Sequence, residues 1–329
     1  TNPCTAEVVD LDGDGNRDLL VSDLGTTTPS DVENGSVLWF RGGTDGEFKV
    51  VPLAKGLGRV AHCQAADFDS DGDLDIVVAV FGWRKVGNIL LLQNETIDYS
   101  APKFTPHVLD PRPGAIHVPV TDLDGDGDPD FVALISQHHE TIVAFLNDGS
   151  GGFRKETIFR ATHPNWGATG IQLVDMDRDG DLDVLSSNGD SLDDLVPKPY
   201  HGIQWFENSG SYPFKQHLLT KLYGCNAAKA ADIDGDGDVD IFASVFLPYI
   251  RKETPGSESV ESLIWLEQVK PGRFERYSLE KFTCFHPTLD LGDFDGDGDL
   301  DLVVGNMTMA RKKKDTLPYW AVLWRNQGR

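Results

Sequence analysis

Six stretches of this sequence share one spacing of aspartates, D-x-D-x-D-G-x-x-D: Asp10–Asp18, Asp67–Asp75, Asp122–Asp130, Asp175–Asp183, Asp232–Asp240 and Asp293–Asp301. Their starts lie 57, 55, 53, 57 and 61 residues apart. Together they hold 29 of the 53 acidic residues. Carboxylates crowded this closely repel one another unless cations sit between them. A hard cation such as Ca2+ takes about six to eight oxygens at short range. Positions 1, 3 and 5 of such a turn can aim carboxylates at one centre, and Gly at position 6 permits the sharp bend. Position 9 then returns a further carboxylate. The predicted ligands are Asp10, Asp12, Asp14 and Asp18; Asp67, Asp69, Asp71 and Asp75; Asp122, Asp124, Asp126 and Asp130; Asp175, Asp177, Asp179 and Asp183; Asp232, Asp234, Asp236 and Asp240; Asp293, Asp295, Asp297 and Asp301. Position 7 is Asn16 in the first copy, so it is expected to act through its carbonyl. About six structural Ca2+ ions are expected. Magnesium suits these turns less well, because it keeps its waters and takes fewer protein ligands.

Two other readings were weighed. An EF-hand needs a bidentate Glu at position 12 and flanking helices. Position 12 here is Val21, Val78, Ala133, Ser186, Ala243 and Val304, inside an apolar run. Ion-free Asp-Gly hairpin turns are the plainer alternative. Four or five carboxylates within nine residues, six times over, favour the ion.

The elements that must position these turns repeat with them. After each cluster comes a β-rich run, such as Ile76-Val77-Val78-Ala79-Val80 or Phe131-Val132-Ala133-Leu134-Ile135. A second run ends in Trp, Leu or Phe, as in Val37-Leu38-Trp39-Phe40 and Ile203-Gln204-Trp205-Phe206. Another segment carries Phe after a turn, as in Gly46-Glu47-Phe48 and Gly152-Phe153. Such runs between Gly, Pro and Asn clusters read as strands. Four strands in about 55 residues make a propeller blade. The expected fold is therefore an all-β propeller of four-stranded blades. Six blades are counted, at roughly 1–57, 58–112, 113–165, 166–222, 223–282 and 283–329, within one domain spanning 1–329. The last is expected to lack its outer strand. Seven blades, one of them incomplete or missing from this sequence, is the alternative. Trp39, Trp205, Trp265 and Trp324 recur at one repeat position and are expected in the core between blades.

Asp232-Ile233-Asp234-Gly235-Asp236-Gly237-Asp238-Val239-Asp240 followed by Ile241-Phe242-Ala243 resembles an FG-GAP/VCBS repeat, the unit of integrin-α-like propellers and of many bacterial surface proteins. The resemblance covers essentially the whole chain. It implies a calcium-binding propeller whose ligands bind on the face opposite the calcium turns. One propeller scaffold hosts many activities, so it does not fix a function.

Net charge is −24, which disfavours nucleic acid and anionic lipid, since phosphate binding needs Lys and Arg. No run of 18 apolar residues is present, so no membrane-spanning helix is expected. The first residues lack a signal-peptide pattern, so any such peptide is expected to be removed or to lie outside this sequence. An extracellular, cell-surface or periplasmic location is expected. Cys4, Cys63, Cys225 and Cys284 form no CxxC pair; two cross-blade disulfides at a separation of 59 residues and four free thiols both fit.

Seven of the nine histidines fall in the loops expected on the far face. The candidate ligand-binding residues are His62, Trp83, His117, His163, Trp166, His286 and Tyr319. Arg251 and the basic run Arg311-Lys312-Lys313-Lys314 lie in loops of the same set. The expected partner is a carbohydrate or a protein. A polysaccharide lyase is the enzymatic alternative, with His138, His139, Tyr200, His201, Tyr249 and Arg84 as the catalytic pool. A structural repeat within a larger surface assembly is the third reading. Each candidate has a plainer role: His62 and His117 stand five residues before an Asp cluster, where a histidine commonly bonds backbone.

Overall fold

The computed structural model describes residues 1–44, 46–192, 194–250, 259–307 and 319–328. These contain no α-helix; twenty-four strands form six antiparallel sheets, one per Asp repeat. The fold is an all-β propeller of six blades. The chain divides into two compact units, Thr1–Asn165 and Trp166–Arg329.

In the first unit, blade 1 comprises β1 (Pro3–Val9), β2 (Asp18–Asp23), β3 (Gly35–Gly42) and β4 (Phe48–Leu57), paired in that order. Blade 2 comprises β5 (Val60–Ala66), β6 (Asp75–Val80), β7 (Asn88–Asn94) and β8 (Phe104–Asp110). Blade 3 has its inner strand split into β9 (Ala115–His117) and β10 (Val120–Thr121), both paired with β11 (Asp130–Ile135), followed by β12 (Thr141–Asn147) and β13 (Phe153–Arg160). The split falls at Pro119, which has no N–H to give a ladder; its carbonyl still accepts Val132 N–H at 3.0 Å.

In the second unit, blade 4 comprises β14 (Ala168–Val174), β15 (Asp183–Asn188), β16 (Gly202–Glu207) and β17 (Lys215–Lys221). Blade 5 comprises β18 (Cys225–Ala231), β19 (Asp240–Val245), β20 (Glu261–Lys270) and β21 (Arg273–Lys281). Blade 6 shows three strands, β22 (Thr288–Gly292), β23 (Asp301–Gly305) and β24 (Ala321–Trp324). Among the described residues no fourth strand of blade 6 is seen.

Every Asp cluster connects the first strand of its blade to the second. The second strands are covered on both faces: β6, β11, β15 and β19 are buried at every residue, and all but β15, which carries Ser186, Ser187 and Asn188, are mostly apolar. The outer strands alternate, as the mixed burial of β13 shows. In blade 3, Phe131 stacks on Phe145 at 4.4 Å, and Phe153 of β13 packs edge-on to both and to Phe68 of the preceding Asp loop. Fully burying one such ring contributes about 1.5–3 kcal/mol.

The tryptophan expectation divides. Trp39 is fully buried and Trp205 nearly so, but Trp265 is only half-buried and Trp324 is 37% exposed. Trp324 occupies in β24 the place that Phe145 occupies in β12: each is the strand partner of the residue just after the Asp cluster, Leu302 or Phe131. In blade 3 that place is covered by Phe153 of the outer strand. In blade 6 no outer strand is described, and Trp324 lines an open cavity of about 360 Å3 with Ile233 and Leu302. The four cysteines are free thiols, with Cys63, Cys225 and Cys284 buried. Burial pushes the Cys225 thiol up to about 12, which makes it unreactive.

Candidate metal centres and ligand pocket

The six Asp turns share one hydrogen-bond scheme. In all six, the position 6 glycine donates its N–H to the position 1 carboxylate, as Gly72 does to Asp67 at 3.1 Å. In all six, the position 7 N–H is donated to the position 5 carboxylate, as Asp238 does to Asp236 at 2.9 Å. The position 6 glycines have φ between 85° and 98°, a region open to glycine and costly for other residues. The loop thus spends its own N–H groups on fixing one side of each carboxylate.

Position 9 has a second task. Its carboxylate is buried in all six loops, and one oxygen accepts a backbone N–H at or near the end of the third strand. Asp130 shows the arrangement: Oδ1 accepts Asn147 N–H at 2.7 Å and Oδ2 accepts Leu123 N–H at 2.9 Å. In blade 1, Asp18 also accepts Trp39 Nε1–H at 2.8 Å. This residue therefore ties the turn to the third strand.

The remaining carboxylate atoms suit a divalent cation. Three carboxylates in each of five turns, among them Asp67–Asp69–Asp71 and Asp122–Asp124–Asp130, bring oxygens within 4.8 Å of one another; in the first turn, Asp10–Asp12–Asp18, Arg41 Nη2 also stands 2.5 Å from Asp12 Oδ2. Asp69 Oδ1, Asp75 Oδ2, Asp175 Oδ1 and Asp240 Oδ2 are buried without a hydrogen bond. An anionic oxygen in that state is costly unless a cation meets it. Burial, then the neighbouring carboxylates, push Asp75 and Asp240 up to about 7, against the hydrogen bonds they accept. Buried acids raised this far, with further carboxylates beside them, lack countercharge, and the donor set is all oxygen, which fits Ca2+.

The candidates on the loops between second and third strands separate into small groups. His138 and His139, in the β11–β12 loop, meet His163 after β13 around a cavity of about 330 Å3, with Arg112, Glu140 and Arg160. Burial, then the Arg112 charge, hold His139 below the usual imidazole range. Arg112 forms a two-pronged pair with Asp110, both bonds 2.9 Å; against burial, this brings Asp110 down to about 2. His138 and His163 are exposed, and Glu140 is buried.

His62 and His117 lie on inner strands, not in loops, with ring centroids 5.6 Å apart; His62 Nδ1 accepts Val118 N–H at 3.4 Å. The Arg84 guanidinium lies over the Trp83 ring at 4.5 Å. In the second unit, Trp166 stacks on Tyr200 at 5.4 Å, and Tyr249 shares a 2.8 Å hydrogen bond with Ser191. His201 is fully buried, and burial lowers it to about 4, so it is a neutral core histidine. His286 is buried between Glu280 at 2.8 Å and Asn306 at 2.7 Å. Tyr319 is 66% exposed. Arg251 and Arg311–Lys314 lie outside the described residues. Arg112, Glu140 and Arg160 were not foreseen. Arg112 stands in the connection after β8, Glu140 in the β11–β12 loop and Arg160 at the end of β13, so a charge survey of those segments would have raised them.

A family model described as FG-GAP-like repeat matches residues 10–78, 104–186 and 188–243. No curated protein matches the chain. Among solved structures, the chain is similar to a lectin of Agrocybe aegerita, described by its specific recognition of non-reducing terminal N-acetylglucosamine. The identity is 17%, the TM-score 0.56, and the match covers 92% of this chain and 75% of that one.

Proposed function

Because this chain belongs to the FG-GAP-like repeat family, we propose that it is a calcium-braced propeller that binds carbohydrate as one six-bladed module. The bracing ions are Ca2+, held by the Asp turns. The sugar site is the pocket of His138, His139, His163, Arg112 and Arg160 in the first unit. That pocket is the observation that carries the reading. It lies on the loops away from the Asp turns, since hairpin connections alternate between the two ends of a sheet. Its guanidinium and imidazole groups are hydrogen-bond donors converging on one concave space, the arrangement that orients a polar ligand. A sugar hydroxyl or a uronate carboxylate satisfies such donors. The lectin of similar fold supports sugar binding on a propeller. Calcium at millimolar supply outside the cytosol favours an extracellular, surface or periplasmic site of action. Among the described residues no helix is long and apolar enough to cross a membrane.

The described lining of the pocket holds no tyrosine to pair with the histidines, which favours binding over lyase chemistry. A glycan array probed in calcium tests the reading, with the His138→Ala/His163→Ala double variant alongside. Binding to a defined glycan, lost in the variant while the fold persists, is expected. An array silent for the wild-type protein, or binding unchanged in the variant, removes this site.

A further inference from the structure

The six Asp turns are alike in backbone, but the third strand presents a different side chain to each. The residue in question directly precedes the one whose N–H meets the position 9 carboxylate. It is Arg41, Gln93, Leu146, Glu207, Glu267 and Arg325 in blades 1 to 6. In blade 2, Gln93 Nε2 donates to Asp69 Oδ2 at 2.8 Å, so this position reaches the position 3 aspartate. In blade 1 the same reach delivers a charge. Arg41 Nη2 stands 2.5 Å from Asp12 Oδ2 and 3.7 Å from Asp14 Oδ2.

The guanidinium is held there from other sides too. It lies 5.3 Å from the centre of the Trp39 ring, and its Nη1 donates to the Tyr99 carbonyl at 3.4 Å. The Asp12 side chain is only 2% exposed. Blade 1 is also the repeat with Asn16 in place of an aspartate at position 7. Its turn therefore has four carboxylates and one built-in cation, where the turn of blade 2 has five carboxylates and a neutral amide. Arg325 makes a looser version of the contact in blade 6, 3.5 Å from Asp295 and with its side chain 61% exposed.

We infer that Arg41 takes the part of the metal in the first turn, so that blade 1 is closed by an internal ion pair while the turns of blades 2 to 5 are closed by Ca2+. A guanidinium paired with the Asp12 carboxylate must be displaced before a divalent ion can use it, and here it also meets an aromatic face and a carbonyl. Arg41 is thus the residue that sets the metal content of this turn. The inference rests on the proposal that the other turns bind calcium.

Calcium bound per chain, counted by elemental analysis and calorimetric titration after chelation, tests it with the full chain. Arg41→Gln, which copies blade 2, is expected to raise the count by one ion. Gln93→Arg, which copies blade 1, is expected to lower it by one. Asp12→Asn is expected to leave the count unchanged, while Asp69→Asn lowers it by one; this pair decides the matter if the Arg41 variant does not fold. An unchanged count in Arg41→Gln, or an ion lost in Asp12→Asn, overturns the inference with the calcium reading intact. A wild-type chain that binds no calcium at all overturns the calcium reading itself, a result distinct from either.

Discussion

Replacing Asp130 with alanine separates what the Asp turns do for the fold from what they do for an ion. Asp130 is fully buried, and its two oxygens accept the N–H groups of Leu123 and Asn147. Alanine leaves both donors without a partner, at about 1–3 kcal/mol each, so the loss is about 2–6 kcal/mol. A unit of this size shifts by about 2–4 °C per kcal/mol, so unfolding of the first unit should fall by at least about 4 °C. Because these hydrogen bonds exist without metal, the fall should appear in chelator as well as in calcium, where a ligand is lost in addition. Asp126→Asn gives the contrast. Asp126 is exposed, and asparagine keeps an oxygen for Asp128 N–H, so its metal-free stability should move by less than about 0.5 kcal/mol. Its cost should appear only in calcium, where a charged ligand has been lost. Thermal unfolding of both variants, each with calcium and with chelator, reads the difference. An Asp130→Ala protein that melts like wild type in chelator would refute the reasoning, because the buried hydrogen bonds would then carry no stability.

Three further outcomes follow from the same geometry. Gly127→Ala meets no atom within 4 Å, so its cost, about 1–3 kcal/mol, comes only from the backbone at φ +94°, and urea unfolding should show it. Trp39→Ala removes a fully buried ring and the Asp18 hydrogen bond, and should cost about 3–5 kcal/mol by the same method. Asp75 and Asp240 titrate near 7 without metal, and an ion must displace their protons, so calcium affinity should fall as pH drops through about 7; calorimetry at several pH values checks the sign.

The blades were legible in the sequence because two local signals agreed. The Asp turn recurs with little drift, and the run after it opens with two or more apolar residues in every copy, as a strand covered on both faces favours. Pro119, where the inner strand of blade 3 breaks, was not singled out, although a proline has no N–H to give a ladder. The dual use of position 9 was not legible, because an aspartate that stitches backbone and one that binds metal have the same letter. Trp324 misled for a different reason: it is one register position away from the others, pairing with Leu302, the first residue after its Asp cluster, whereas Trp39, Trp205 and Trp265 pair with the second, Leu20, Leu185 and Phe242. The pocket was half visible. Its histidines stood out in a chain with nine, but Arg112 and Arg160 did not, since only the turn-over of consecutive hairpins brings those connections beside His138.

The claim on which the rest depends is that the Asp turns take up calcium and that the ions brace the blades. Thermal unfolding of the chelator-stripped chain, with calcium or magnesium added back, tests it most directly. Each site at a hundredfold excess over its dissociation constant adds about 2.7 kcal/mol, so calcium should raise the melting temperature by many degrees and magnesium by far less. Identical melting curves in calcium and in chelator would contradict the account.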